Sequence, residues 1–180
     1  MSSTATISNP AAQNEIVESL NQSLAETTIT TMLAQNFHWN ITGMGFGQLH
    51  DLFQEIYEDH FTGQDELAER IKAVGGHAEG KLSGMVSRSK VNEHDGHATD
   101  REMIAALLQA QETLAETLAG ASDIAASNGD KLTEDLCIYF LVLDISYNIQ
   151  CYSCALTKIV INIIIQIIQV VRRKKKILFL

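Results

Sequence analysis

Proline is nearly missing from this 180-residue sequence, with Pro10 the single instance. Every later segment is therefore free to be helical, because proline removes a backbone donor and clashes with the preceding turn. Cysteine is absent before Cys137, which excludes a disulfide-stapled scaffold over the first three-quarters of the chain. No lysine or arginine precedes Arg70. Without a basic N-terminus ahead of an apolar run, nothing reads as a signal peptide, and the cytoplasm is the expected location. Strand-type alternation of polar and apolar residues is missing through residue 136.

What is present bounds the answer further. Hydrophobic residues make up 46% and charged residues 19%, too apolar for a disordered chain, and the length suits one sizeable domain. The net charge of −9 conceals two opposed parts. Residues 1–136 hold 21 acids and 7 bases, whereas residues 137–180 hold one acid, Asp144, and 6 bases. An acidic surface of this kind would repel nucleic acid, whose binding needs a basic patch. All 11 glycines lie before Cys137, and isoleucine rises from 8 residues in the first part to 11 in the last 44. The expected organisation is a bundle over 1–136 and an atypical hydrophobic and basic tail over 137–180.

Ile16, Leu20, Leu24, Ile29, Leu33 and Phe37 recur near one helical face from Glu15 to about Trp39. Gly43, Gly45 and Gly47 stop that helix. A second helix carries Leu49, Phe53, Ile56, His60, Leu67, Ile71 and Val74 on one stripe and ends at Gly75 and Gly76. Residues 77–98 suit a crossover with one short helix. Thr99 or Asp100 caps a third helix, where Ile104, Leu107, Leu108, Leu114 and Leu118 keep the period, and Lys131 opens a fourth. The fold class is all-α: four helices with one long connection, the ferritin-like arrangement, although a generic four-helix protein has the same pattern.

His38 falls at the end of the first helix and His50 near the start of the second, while Asp65 and Glu69 are spaced i, i+4 and share a face. Seen singly, such histidines read as helix-end residues and such acids as a solvated face. Together they form a donor set suited to Fe(II), Mn(II) or Zn(II). His50 and Asp65 lie 15 residues apart, roughly 22 Å along a straight helix. A single small metal centre within one chain cannot use both. If the set is one site, two chains must meet antiparallel about a two-fold axis, which creates the site twice.

The run from Gln35 to Gly43 (QNFHWNITG), then Phe46 to Phe53 (FGQLHDLF), then Asp65 to Ile71 (DELAERI) resembles the Dps family of mini-ferritins. Gly75–Gly76 and the stretch Gly129 to Asp135 (GDKLTED) also match, so the resemblance covers about residues 11–136. It implies a dodecameric shell that oxidises Fe(II), commonly with hydrogen peroxide, and stores the ferric product. It further implies a di-iron site across a two-fold interface, with His38 and His50 from one chain and Asp65 and Glu69 from its partner. Trp39 matches the aromatic residue beside the iron, where it would take one-electron oxidants or simply pack in the core. Asp135 matches an acidic position near the family's pores, or serves as an acid in a first helical turn. The family usually has an acid four residues after its second ligand histidine, and this chain has Gln54 there. Glu58 is the nearest substitute on that face, so one iron held firmly and a second loosely is the expected outcome. His60, His77, His94 and His97 match no ligand position and read as surface or supporting residues.

The tail departs from the family pattern. It could be a fourth helix with Ile138, Leu141, Val142 and Ile145 as its core stripe. It could attach to a membrane, although the apolar run Ile159 to Val171 is short for a span. Or a shifted reading frame or exon boundary has left a segment never selected to fold. The third reading is favoured because composition and pattern change together. Cys151 and Cys154 read as chance cysteines rather than a redox pair. Arg172 to Lys176 could compact DNA, the alternative function, or the chain could be a non-functional remnant.

Overall fold

The computed structural model describes residues 9–43 and 45–177, with side chains described up to Cys154. Asn9 accepts a hydrogen bond from the Ala11 amide and caps α1, Pro10–Asn40. Pro10 occupies the first turn, where its missing N–H costs nothing. The helix thus begins five residues before the apolar period does. Helix α2, Phe46–Ala73, follows a short turn, and Gly75 adopts φ +90° directly after it. At Gly76 a Cβ would lie 2.5 Å from the Val17 side chain, so glycine there lets the turn close onto α1.

The crossover carries α3, Leu82–Arg88, as expected. Polar side chains of α1 hold it down. Asn21 donates to the His77 carbonyl (3.0 Å) and accepts from the Glu79 amide (3.0 Å). Asn36 donates to the His94 carbonyl (2.7 Å). Of the two expected caps, Thr99 is the one used: it forms a reciprocal capping box with Glu102 at the start of α4, Asp100–Ser127. Losing such a cap costs about 1 kcal/mol.

Helix α5, Lys131–Ile177, runs through the composition break without interruption. Its first turn is fixed to α2, where Arg70 donates to Asp130 (2.6 Å) and to Thr133 (2.7 Å). The inward face consists of Cys137, Phe140, Asp144, Tyr147 and Cys151, all buried. This corrects the expected stripe: Ile138, Val142 and Ile145 are exposed. The bundle selects the face carrying aromatic and cysteine side chains, about 140° round the helix from the isoleucines. Residues 137–151 therefore complete the core rather than standing apart from it. The side chains of Ile159–Val171 and Arg172–Lys176 lie outside the described residues.

The four long helices form the bundle, with no strand among the described residues. One apolar cluster gathers Leu33, Phe37, Leu49, Phe53, Leu107 and Tyr147. The other gathers Leu20, Leu24, Leu67, Ile71, Leu114 and Phe140. In sequence along each helix, polar residues fall between the two, including buried Thr27, His60, Gln111 and Asp144.

Candidate metal centre

α1 ends at Asn40 and α2 begins at Phe46, so His38 and His50 are brought side by side. Their rings stack with centroids 3.7 Å apart and planes 22° from parallel. Each ring is held by the other's backbone: His38 Nδ1 lies 2.9 Å from the His50 carbonyl, and His50 Nδ1 lies 3.1 Å from the His38 carbonyl. A carbonyl only accepts, so both Nδ1 atoms carry the proton and both Nε2 lone pairs are left for a metal. Phe46 stacks on His50 (4.8 Å), and Tyr57 meets His38 edge-on (5.3 Å).

Asp65 and Glu69 are exposed on the same helix, and neither makes a hydrogen bond or ion pair among the described residues. No group of three or more His, Cys, Asp or Glu side chains within the single chain could hold a metal among the described residues. The structure thus joins the two histidines and leaves the two acids apart from them. Between the two ends of α2 lies an apolar cavity of about 450 Å³ lined by Thr28, Met32, Tyr57, Glu58, Phe61 and Leu82, among others. Phe61 is 70% and Leu82 70% exposed.

Gln54 donates to Glu58 (2.7 Å), so the neutral residue at the departure point is tied to its nearest acid. Trp39 is 63% exposed, which removes core packing within the chain as its role. Asp135 is exposed in the opening turns of α5.

A ferritin-like domain model matches residues 17–143. DNA protection during starvation protein 2 of Bacillus anthracis is 31% identical over 122 residues, covering 68% of this chain and 84% of that protein. Dps from Staphylococcus aureus is 34% identical, with a TM-score of 0.77 over 79% of this chain and 96% of that one. The chain belongs to the Dps family. A Dps protein from Vibrio cholerae, described as a member of a broad superfamily of ferritin-like diiron-carboxylate proteins, is 25% identical with a TM-score of 0.77, over 83% of this chain and 97% of that one.

In this Dps chain one histidine differs from its expected place. His60 is buried in the core, with Nε2 3.7 Å from an Asp144 carboxylate oxygen. Burial pushes His60 down to about 4, against the opposing pull of Asp59, and pushes Asp144 up to about 8. Near neutral pH the pair is imidazole beside a largely protonated carboxyl. His60 already lay on the apolar stripe of α2, and that position was the available signal. Asp144 had none, being the lone acid of an apolar segment. Cys151 is buried against Gln111, and burial pushes its thiol up to about 12, so Cys151 itself has no reactive thiolate to offer. Among the described residues, no helix is long and apolar enough to cross a membrane.

Proposed function

We propose that this chain oxidises Fe(II), with hydrogen peroxide as the oxidant, and stores the ferric product inside a dodecamer of identical chains in the cytoplasm, so shielding DNA. The observation that carries this reading is the stacked histidine pair, whose free Nε2 atoms sit at one end of α2 while the unpaired carboxylates sit at the other. A two-fold contact centred on the cavity at Phe61 would bring His38 and His50 of one chain to Asp65 and Glu69 of the next. It would also cover Phe61 and Leu82, whose exposure in a single chain is otherwise costly.

Two imidazole nitrogens and two carboxylates form a set suited to ferrous iron that stabilises the higher charge of the ferric product. Two ferrous ions give up one electron each, and peroxide with two protons becomes two waters, so no hydroxyl radical is released. Gln54 supplies no charge, and the second ion is held more loosely than the first. Trp39, beside His38 and open to the contact, is the group placed to absorb a stray single-electron oxidant. The relatives named for DNA protection support the protective role.

The test is anaerobic Fe(II) titrated with peroxide while both are followed. The expected result is consumption of two ferrous ions per peroxide, faster than in protein-free buffer, with no spin-trapped hydroxyl radical. A rate equal to the buffer's would contradict the proposal.

A further inference from the structure

Charge along α2 sets a condition on the contact that the iron chemistry needs. Seven acids stand exposed on this helix from Asp51 to Glu69, and no lysine or arginine precedes Arg70. None of the seven forms an ion pair among the described residues. Glu58 accepts from Gln54 and Asp59 from the Tyr147 hydroxyl, but both donors are neutral. The nearest bases are engaged elsewhere. Arg70 is on Asp130 (2.6 Å), Lys72 is on the Gly76 carbonyl (2.9 Å), and the Lys81 charge acts on Glu79.

Helical spacing gathers four of these acids on one line. Asp51, Glu58, Asp65 and Glu69 fall within about 40° of one another around α2, next to Phe61. The two-fold contact of the proposed function, on which this inference rests, lays that line antiparallel against its own copy. The Phe61 and Leu82 patch draws the copies together, while carboxylates from both sides push them apart. A divalent cation between His38 and His50 of one chain and Asp65 and Glu69 of the other removes two charges from the contact. It also ties the chains to each other.

We infer that ferrous iron closes this contact: the metal-free chain does not hold it, and two divalent cations, one at each shared site, do. A ligand that binds the pair better than the free chain shifts association by mass action, and pairing in turn tightens the ligand. Iron thus assembles the site that oxidises it. A free chain offers imidazoles alone, so oxidation is confined to chains already joined.

Trp39 is the chain's one tryptophan, 63% exposed beside His38, and its fluorescence reports the contact. The full chain, stripped with chelator in low-salt buffer, is titrated with Zn(II), which accepts the same donors and has no redox chemistry. The expected result is a blue shift of Trp39 emission together with a larger sedimentation coefficient, both reversed by chelator. The association constant should climb with free Zn(II) at a limiting logarithmic slope of about two. Without metal, added sodium chloride should strengthen pairing by screening the acids. Asp65→Ala should remove the Zn(II) response. Asp51→Asn with Glu66→Gln, both outside the ligand set, should strengthen metal-free pairing by about tenfold or more. Circular dichroism matching the parent confirms that each variant folds.

A metal-free chain already paired at low salt, or a slope near zero, would overturn the inference. So would metal-free pairing that salt weakens or that Asp51→Asn with Glu66→Gln leaves unchanged, and a Zn(II) response that survives Asp65→Ala. Peroxide-dependent oxidation of Fe(II) is measured alongside. Oxidation intact in a chain whose pairing ignores metal removes this inference alone, whereas oxidation no faster than in buffer removes the reading beneath it.

Discussion

The two ends of α2 differ in how far the single chain organises them. At the His50 end, rings stack, carbonyls fix each Nδ1 proton, and Phe46 and Tyr57 hold the ring planes. At the Asp65 end, two carboxylates stand in solvent. Under the proposed function, the chemistry of the two donor types accounts for the difference. Imidazole binds a metal only in the right tautomer and orientation, so the chain that contributes it must set both. A carboxylate can bind through either oxygen, so it tolerates being positioned late, by the arrival of another chain. On that reading, exposure of the acid pair does not by itself mark an idle solvated face.

The strongest way to break this comparison is to remove a ligand from the organised end. His50→Ala should lower peroxide-dependent iron oxidation by roughly 100-fold or more, since even neighbours of metal ligands are worth about 10–100-fold. Asp65→Ala should match it in stopped-flow absorbance. A much smaller loss at the Asp65 end would mean the acids are not ligands. Phe61→Glu places a charge at the centre of the proposed contact. It should shift the assembly toward single chains in sedimentation velocity and lose oxidation with both ligand sets untouched. Retained assembly would place the contact elsewhere.

A smaller effect concerns the core beside this surface. Asp144 moves from an ordinary 3.8 to about 8 on folding, so between those values the folded chain holds a proton that the unfolded chain has released. Stability contributed this way falls as pH rises. His60, lowered from 6.5 to about 4, acts in the opposite sense and offsets it below about 6.5. Between pH 6.5 and 8 only the Asp144 effect remains, about 2 kcal/mol. Urea unfolding should therefore show a midpoint that falls across that window, and Asp144→Asn should flatten it. A midpoint independent of pH in the parent would contradict the neutral pair. The smallest expected change is a gain. Gln54→Asp adds a charge four residues beyond His50 and should tighten iron binding by up to about tenfold in calorimetry.

Much of this was readable in the residues themselves. The stripes from Ile16 to Phe37 and from Leu49 to Val74 form the core faces, because period and burial agree where one side of a helix is polar. The start of α1 was missed because its signal is a cap and a first-turn proline, not an apolar period. The inward face of α5 was missed for another reason. Apolar residues lie on both faces, so hydrophobicity alone could not say that Cys137, Phe140 and Tyr147 turn inward while Ile138 and Val142 turn out. The wide separation of His50 and Asp65 was legible from helix rise alone. The reciprocal lock on the two rings was not, since it depends on backbone carbonyls that carry no sequence signature.

The shared centre is tested most directly by mixing two inactive chains. His50→Ala and Asp65→Ala, co-assembled at equal ratio, should regain about a quarter of the parent's peroxide-dependent iron oxidation. Half of random pairs are mixed, and each mixed pair holds one intact site of two. A mixture as inactive as either variant alone would contradict a site built from two chains.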